Sequence, residues 1–200
     1  ILHSILFNDV RPKIGGDANN ETLSRLVAFI NDAVGFPVSR NNLTHRIKSA
    51  GYKMYPDLIS KYMDALNSSF LYYEAQFHTI KGGERFGQTD KYYPVDTGLI
   101  YLTKGNMSDN YGSLLENAIF LELKRRGMKV SVGRNNDKSE VDFIAVKGAE
   151  KIYIQVSATL MDENTRKREF QALERIDDNF PKLILSMDKH DYSRDGIKNI

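Results

Sequence analysis

The chain has 200 residues, with 28 basic and 26 acidic side chains, a net charge of +2 and no cysteine. Its 41% apolar content is enough for a buried core, and the length suits one domain or two small ones. Zero Cys excludes disulfides, thiolate zinc sites and cysteine nucleophiles and fits a reducing compartment, while the charge balance excludes both a strongly basic nucleic-acid binder and an acidic tail. The chain starts apolar with Ile1, Leu2, Ile5, Leu6 and Phe7, then runs into Gly15-Gly16-Asp17-Ala18-Asn19-Asn20, a turn-forming stretch. Without an initiator Met, residues 1–19 read as the tail of a preceding domain.

From Asn20 the apolar spacing becomes helical, through Leu23, Leu26, Val27 and Ile30. Ser39 is a candidate N-cap for a second helix that carries Leu43 and Ile47 and stops at Ala50-Gly51. Pro56 opens a third, with Leu58, Ile59, Tyr62, Met63 and Leu66. The aromatic and β-branched run Phe70–Ile80, the turn Lys81–Arg85 and the run Lys91–Val95 then read as a hairpin. Three helices followed by a hairpin with a basic tip is the order of a winged helix, here placed at 20–104. Lys61 is the only cation of its third helix, and Lys81 and Arg85 lie on the tip; these three are the candidate nucleic-acid contacts of this half. The same order also serves to pack against a neighbouring domain.

A polar link, Lys104–Asn110, leads to a second domain at 105–200. Its first helix, 111–126, turns Leu115, Ile119, Phe120 and Leu123 inward and ends on Lys124-Arg125-Arg126-Gly127, a basic cluster that suits a helix C-terminus as well as a phosphate contact. Strands are expected at Lys129–Gly133, Glu140–Val146 and Ile152–Ser157, then a charged helix at 162–176 and a strand at Leu183–Met187. The order αβββαβ predicts a central sheet covered on both faces, with 152–157 and 183–187 as its apolar middle. The fold class is α/β, or α+β overall.

Polar side chains in this second domain suit a hard cation such as Mg²⁺, which takes carboxylate and carbonyl oxygens. Glu116 lies on the first helix, Glu140 and Asp142 two apart on one strand, and Gln155 on the next. Asp142 is equally well placed to pair with Arg134 or Lys138, and Arg166-Lys167-Arg168-Glu169 reads as the solvated face of a helix. The four histidines have no ligand spacing, and no run approaches the ~18 apolar residues of a membrane span.

Five motifs occur in order: Tyr92–Leu99 (YYPVDTGL), Gly112–Asn117 (GSLLEN), Glu140–Ile144 (EVDFI), Tyr153–Ser157 (YIQVS) and Thr165–Leu173 (TRKREFQAL). Together they resemble the C-terminal domain, known as DUF4143, of a prokaryotic family of AAA-type ATPases, with the match spanning roughly residues 36–188. The resemblance implies a P-loop ATPase domain, a winged helix and then a domain similar to the PD-(D/E)XK, or restriction-endonuclease-like, nucleases. No G-x-x-x-x-G-K-[ST] sequence occurs here, so ATP is expected on the preceding domain and no cofactor on this chain beyond Mg²⁺. Carried over residue by residue, the nuclease pattern puts the metal ligands on Glu116, Asp142 and Gln155. Ser157 stands where the pattern has a catalytic Lys, and a neutral hydroxyl supplies no positive charge to the phosphate. The implied function is a non-catalytic accessory region of a cytoplasmic ATPase that binds DNA or a protein partner and not a membrane. The alternative is an active Mg²⁺-dependent endonuclease.

Overall fold

A computed structural model describes residues 2–104, 111–135, 137 and 139–200. The polar link from residue 105 to 110, with Asn136 and Lys138, lies outside the described residues. The fold is mixed α and β, with an eight-stranded mixed sheet among the described residues. The chain divides into two compact units, one of residues 1–74 and 88–109, the other of 75–87 and 110–200. The tip of the hairpin therefore belongs with the second unit and its base with the first, whereas the sequence suggested a single cut near 104.

In unit 1 the opening residues are helical: α1 (Leu2–Ile5), a π-helical turn (Leu6–Val10) and α2 (Arg11–Ile14). Leu6, Val10 and Ile14 are buried in the same core as the helices that follow, so the segment expected as a tail packs as part of this unit. Next come α3 (Asn20–Asp32), β1 (Val38–Ser39), α4 (Arg40–Ser49), α5 (Pro56–Ser68), β2 (Tyr72–Thr79), β3 (Arg85–Pro94) and α6 (Gly98–Lys104). The Asn19 side chain accepts the Thr22 N–H at 2.9 Å and that of Ser39 accepts the Asn42 N–H at 3.1 Å, each capping a helix start. Leu23, Leu26, Val27 and Ile30 meet Ile47, Leu58, Tyr62 and Leu66 in the core. The two-residue β1, absent from the sequence reading, pairs antiparallel with β3 through Val38↔Asp90 and Ser39↔Thr89. A buried polar chain runs through this core: the Tyr72 hydroxyl donates to Asn31 Oδ1 at 2.6 Å, and Asn31 Nδ2 donates to the Leu99 carbonyl at 3.0 Å.

Unit 2 holds the hairpin tip and α7 (Tyr111–Arg125), β4 (Lys129–Arg134), β5 (Glu140–Lys147), β6 (Glu150–Ser157), α8 (Glu163–Glu174), β7 (Lys182–Ser186) and β8 (Ile197–Asn199). Only β8 falls outside the expected αβββαβ order. Strand β4 runs parallel to the outer half of β2 and antiparallel to β5; β5 and β6 are antiparallel, and β6, β7 and β8 are parallel. The Phe120 ring of α7 meets Phe143 with centroids 5.9 Å apart, while Ile144 sits in one cluster with Phe170 of α8. Neighbouring strand residues point to opposite faces, so α7 and α8 cover the two sides of the sheet. Its apolar middle is β5 and β6, not β6 and β7: Ile184 is the one buried residue of β7, and β8 beyond it brings Ile197 into the same core. Among the described residues no helix is long and apolar enough to cross a membrane.

Candidate functional site

Three elements of unit 2 meet around Asp142 and Gln155, and an irregularity in β5 sets their geometry. The pairing of β4 with β5 shifts between Ser131↔Ile144 and Gly133↔Val141, so Asp142 and Phe143 together oppose Val132. Such a bulge interrupts the backbone ladder and re-aims the side chain it carries. Gly133 is required next to it, since a Cβ there would lie 3.0 Å from Val141 Cβ and 3.2 Å from Ile144 Cγ1. On the other edge of β5 the backbone register with β6 extends from Lys147↔Glu150 to Phe143↔Ile154. Beyond that pair the contacts are made by side chains. Gln155 Oε1 accepts the Asp142 N–H at 2.7 Å, and Asp142 Oδ2 accepts the Val156 N–H at 2.9 Å.

Helix α8 completes the arrangement. Its start is capped by Asp162, whose side chain accepts the Thr165 N–H at 2.7 Å. One turn on, Glu169 is buried and its Oε2 accepts from Gln155 Nε2 at 2.7 Å. Glu169 Oε1 accepts from Arg168 Nη2 at 2.8 Å and Nε at 3.2 Å. The Arg168 side chain is 74% exposed against 7% for Glu169, so the guanidinium lies over the carboxylate from the solvent side. The hydrogen bond to Glu169 and that carboxylate's charge hold the Arg168 pKa above its ordinary value, against partial burial, with smaller help from Asp142 and Asp162.

The structure thus brings together Asp142 and Gln155 and adds Glu169 and Arg168, which the sequence reading had assigned to a solvated face. A periodic signal for Glu169 was present: it lies three residues before Ala172 and four before Leu173, both buried. Ser157 is buried, and its hydroxyl donates to the Thr159 carbonyl at 2.9 Å, within the turn that leads to α8. Glu116 is half-buried on α7. Among the described residues no group of three or more His, Asp or Glu side chains is arranged to hold a metal ion. Arg134 lies 3.9 Å from Glu140 and stacks over the Phe77 ring, and Lys138 is outside the described residues.

The candidate nucleic-acid contacts are scattered. Lys61 lies 3.6 Å from Asp17. Arg125 and Arg126 both bond the carboxylate of Glu122, at 2.6 and 2.7 Å, and these two hydrogen bonds push the Glu122 pKa down to about 2. Lys124 is half-buried on the same turn, while Lys81 and Arg85 are exposed on the hairpin tip. Lys81 also lines a surface pocket of about 400 Å³ with Asn135, Arg175 and Asp178.

No solved structure matches this chain. An uncharacterized protein of Haemophilus influenzae is 35% identical over 201 residues, an alignment covering all of this chain and 49% of the relative. The chain thus spans about half the length of the curated relative it matches. Residues 111–200, from α7 through β8, match the family described as "Domain of unknown function (DUF4143)".

Proposed function

We propose that this chain is a non-catalytic interaction module of a longer cytoplasmic AAA-type ATPase, in which unit 1 is a winged helix and unit 2 a nuclease-like domain without cleavage activity. The observation that carries the non-catalytic reading is the closed chain of hydrogen bonds from Asp142 through Gln155 and Glu169 to Arg168. With both Glu169 oxygens and Asp142 Oδ2 already accepting hydrogen bonds, fewer oxygens are left to hold Mg²⁺ and an attacking water. The winged-helix reading is supported by the order helix, short strand, two helices and hairpin over 20–94, with β1 against β3. The ATPase reading comes from the resemblance of the five motifs.

A protein partner is favoured over DNA because Lys61, Arg125 and Arg126 each face a carboxylate of this chain. Paired charges present a short-range dipolar field, and at a net charge of +2 little excess is left to displace counterions from phosphates. One observation favours the second reading, DNA binding: Lys81 and Arg85 are exposed on the hairpin tip, where a wing would reach a backbone.

The test has two arms on the purified chain. Supercoiled plasmid is expected to stay intact with Mg²⁺ or Mn²⁺; metal-dependent nicking that disappears in Asp142→Ala overturns the non-catalytic reading. Duplex and branched DNA are expected to show no binding at ~150 mM salt. Binding that survives ~150 mM salt replaces the protein partner with nucleic acid.

A further inference from the structure

We infer that Arg168 supplies, from within the chain, the positive charge that a divalent cation would bring to Glu169, and that this site therefore takes no metal. The inference deepens the non-catalytic reading and rests on it.

The argument turns on the contact between Gln155 and Glu169. The amide orientation follows from its neighbours: Oε1 faces the Asp142 N–H, a donor, and Nε2 faces the Glu169 carboxylate, an acceptor. Turned the other way, the amide would set donor against donor and acceptor against acceptor. A carboxylate at position 155 would lie 2.7 Å from another carboxylate, a separation tolerable only with a shared proton or an intervening cation. The amide removes that need by donating a hydrogen bond itself. Glu169 thus receives donors on both oxygens, Gln155 from the sheet side and Arg168 from the solvent side.

A cation such as Mg²⁺ requires oxygen lone pairs converging at about 2.1 Å in near-octahedral geometry. Here Asp142 Oδ2 accepts a backbone N–H, and Glu169 Oε2 accepts from the Gln155 NH₂. With both Glu169 oxygens and one Asp142 oxygen engaged, the donor set does not fit the ion, and Glu169 Oε1 is freed only when Arg168 is removed. Arg168 suits the alternative because its planar fork holds a carboxylate with fixed geometry and stays charged at every physiological pH. Gln155 and Arg168 are then two halves of one substitution, an amide for the acid and a guanidinium for the metal.

The test uses the purified chain with Mn²⁺ as probe, read by thermal unfolding and by loss of the free-ion EPR signal. Wild type is expected to show no Mn²⁺ shift beyond that of NaCl at equal ionic strength. Arg168→Gln is expected to melt lower by several degrees and to recover part of the loss with Mn²⁺, whereas Arg168→Lys does not respond. Arg168→Gln combined with Gln155→Glu is expected to gain at least tenfold in Mn²⁺ affinity and roughly 5 °C in Tm at saturating metal. If the double variant does not fold, the Arg168→Gln response decides alone. Wild type that binds Mn²⁺ and loses it in Asp142→Asn overturns the inference, as does an Arg168→Gln protein that ignores the metal, whether or not it melts lower. Mn²⁺ binding without DNA nicking overturns this inference alone; nicking overturns the functional reading with it.

Discussion

The backbone N–H of Asp142 bonds to the side chain of Gln155, and the side chain of Asp142 bonds to the backbone N–H of Val156. The two residues thus exchange backbone pairing for side-chain pairing at the end of the β5–β6 ladder. Buried backbone groups must find a partner, and where a bulge draws a strand out of register a polar side chain of suitable length is the replacement.

Gln155→Leu keeps the volume and removes both hydrogen bonds, leaving the Asp142 N–H and a buried Glu169 oxygen without their partner. A loss of about 2–4 kcal/mol is expected, since two groups go unsatisfied and one is charged. Urea unfolding monitored by tyrosine fluorescence measures it; a loss below ~0.5 kcal/mol would mean that water replaces the amide.

Gly133→Ala tests the packing beside the bulge. The added methyl meets Val141 Cβ at 3.0 Å and Ile144 Cγ1 at 3.2 Å, from side chains fixed in the core. Overpacking of this kind costs about 1–3 kcal/mol, to be read as a lower urea midpoint at unchanged slope.

Asp188 should make stability depend on pH. Its carboxylate accepts the Leu160 N–H and the Thr159 hydroxyl at the turn between β6 and α8, and these bonds, the backbone one foremost, hold its pKa below the ordinary value. The folded state then binds the proton more weakly than the unfolded state. The contribution is therefore complete above the ordinary Asp value of about 3.9 and is lost as pH falls through the depressed folded value. Wild type should be more stable than Asp188→Asn near neutral pH, and the gap should close on acidification below about pH 4. A gap that is constant with pH would show that the carboxylate's charge plays no part.

In unit 1, Tyr72→Phe removes the donor to Asn31 Oδ1 in a site where both residues are buried. Burial holds the Tyr72 phenol far above its ordinary pKa, so it remains a donor throughout the working range. A loss of about 1–2 kcal/mol is expected, with faster hydrogen exchange at the Leu99 end of the chain of bonds.

Local pattern carried most of this fold. The 3.6-residue apolar spacing located α3, α5, α7 and α8, and the β-branched runs located β4, β5 and β6, because each of these elements buries one face whatever its partners are. The two-residue β1 and three-residue β8 were not legible, since strands so short exist only through the neighbour they pair with. The opening residues likewise became part of unit 1 only because Leu6, Val10 and Ile14 found its core.

At the candidate site the division is the same. Asp142 and Gln155 stood out in the sequence through their motifs, and Ser157 stood out as the departure from a nuclease pattern. Glu169 and Arg168 did not, because adjacent charged residues on a helix read as solvent-facing until the sheet beneath one of them is known. The sequence by itself determined which side chains were at hand and the periodicity of the elements that carry them. Tertiary structure decided that a glutamate lies against a glutamine under an arginine, a choice that local spacing cannot make because it depends on how α8 crosses β6 and how the bulge in β5 opens the ladder.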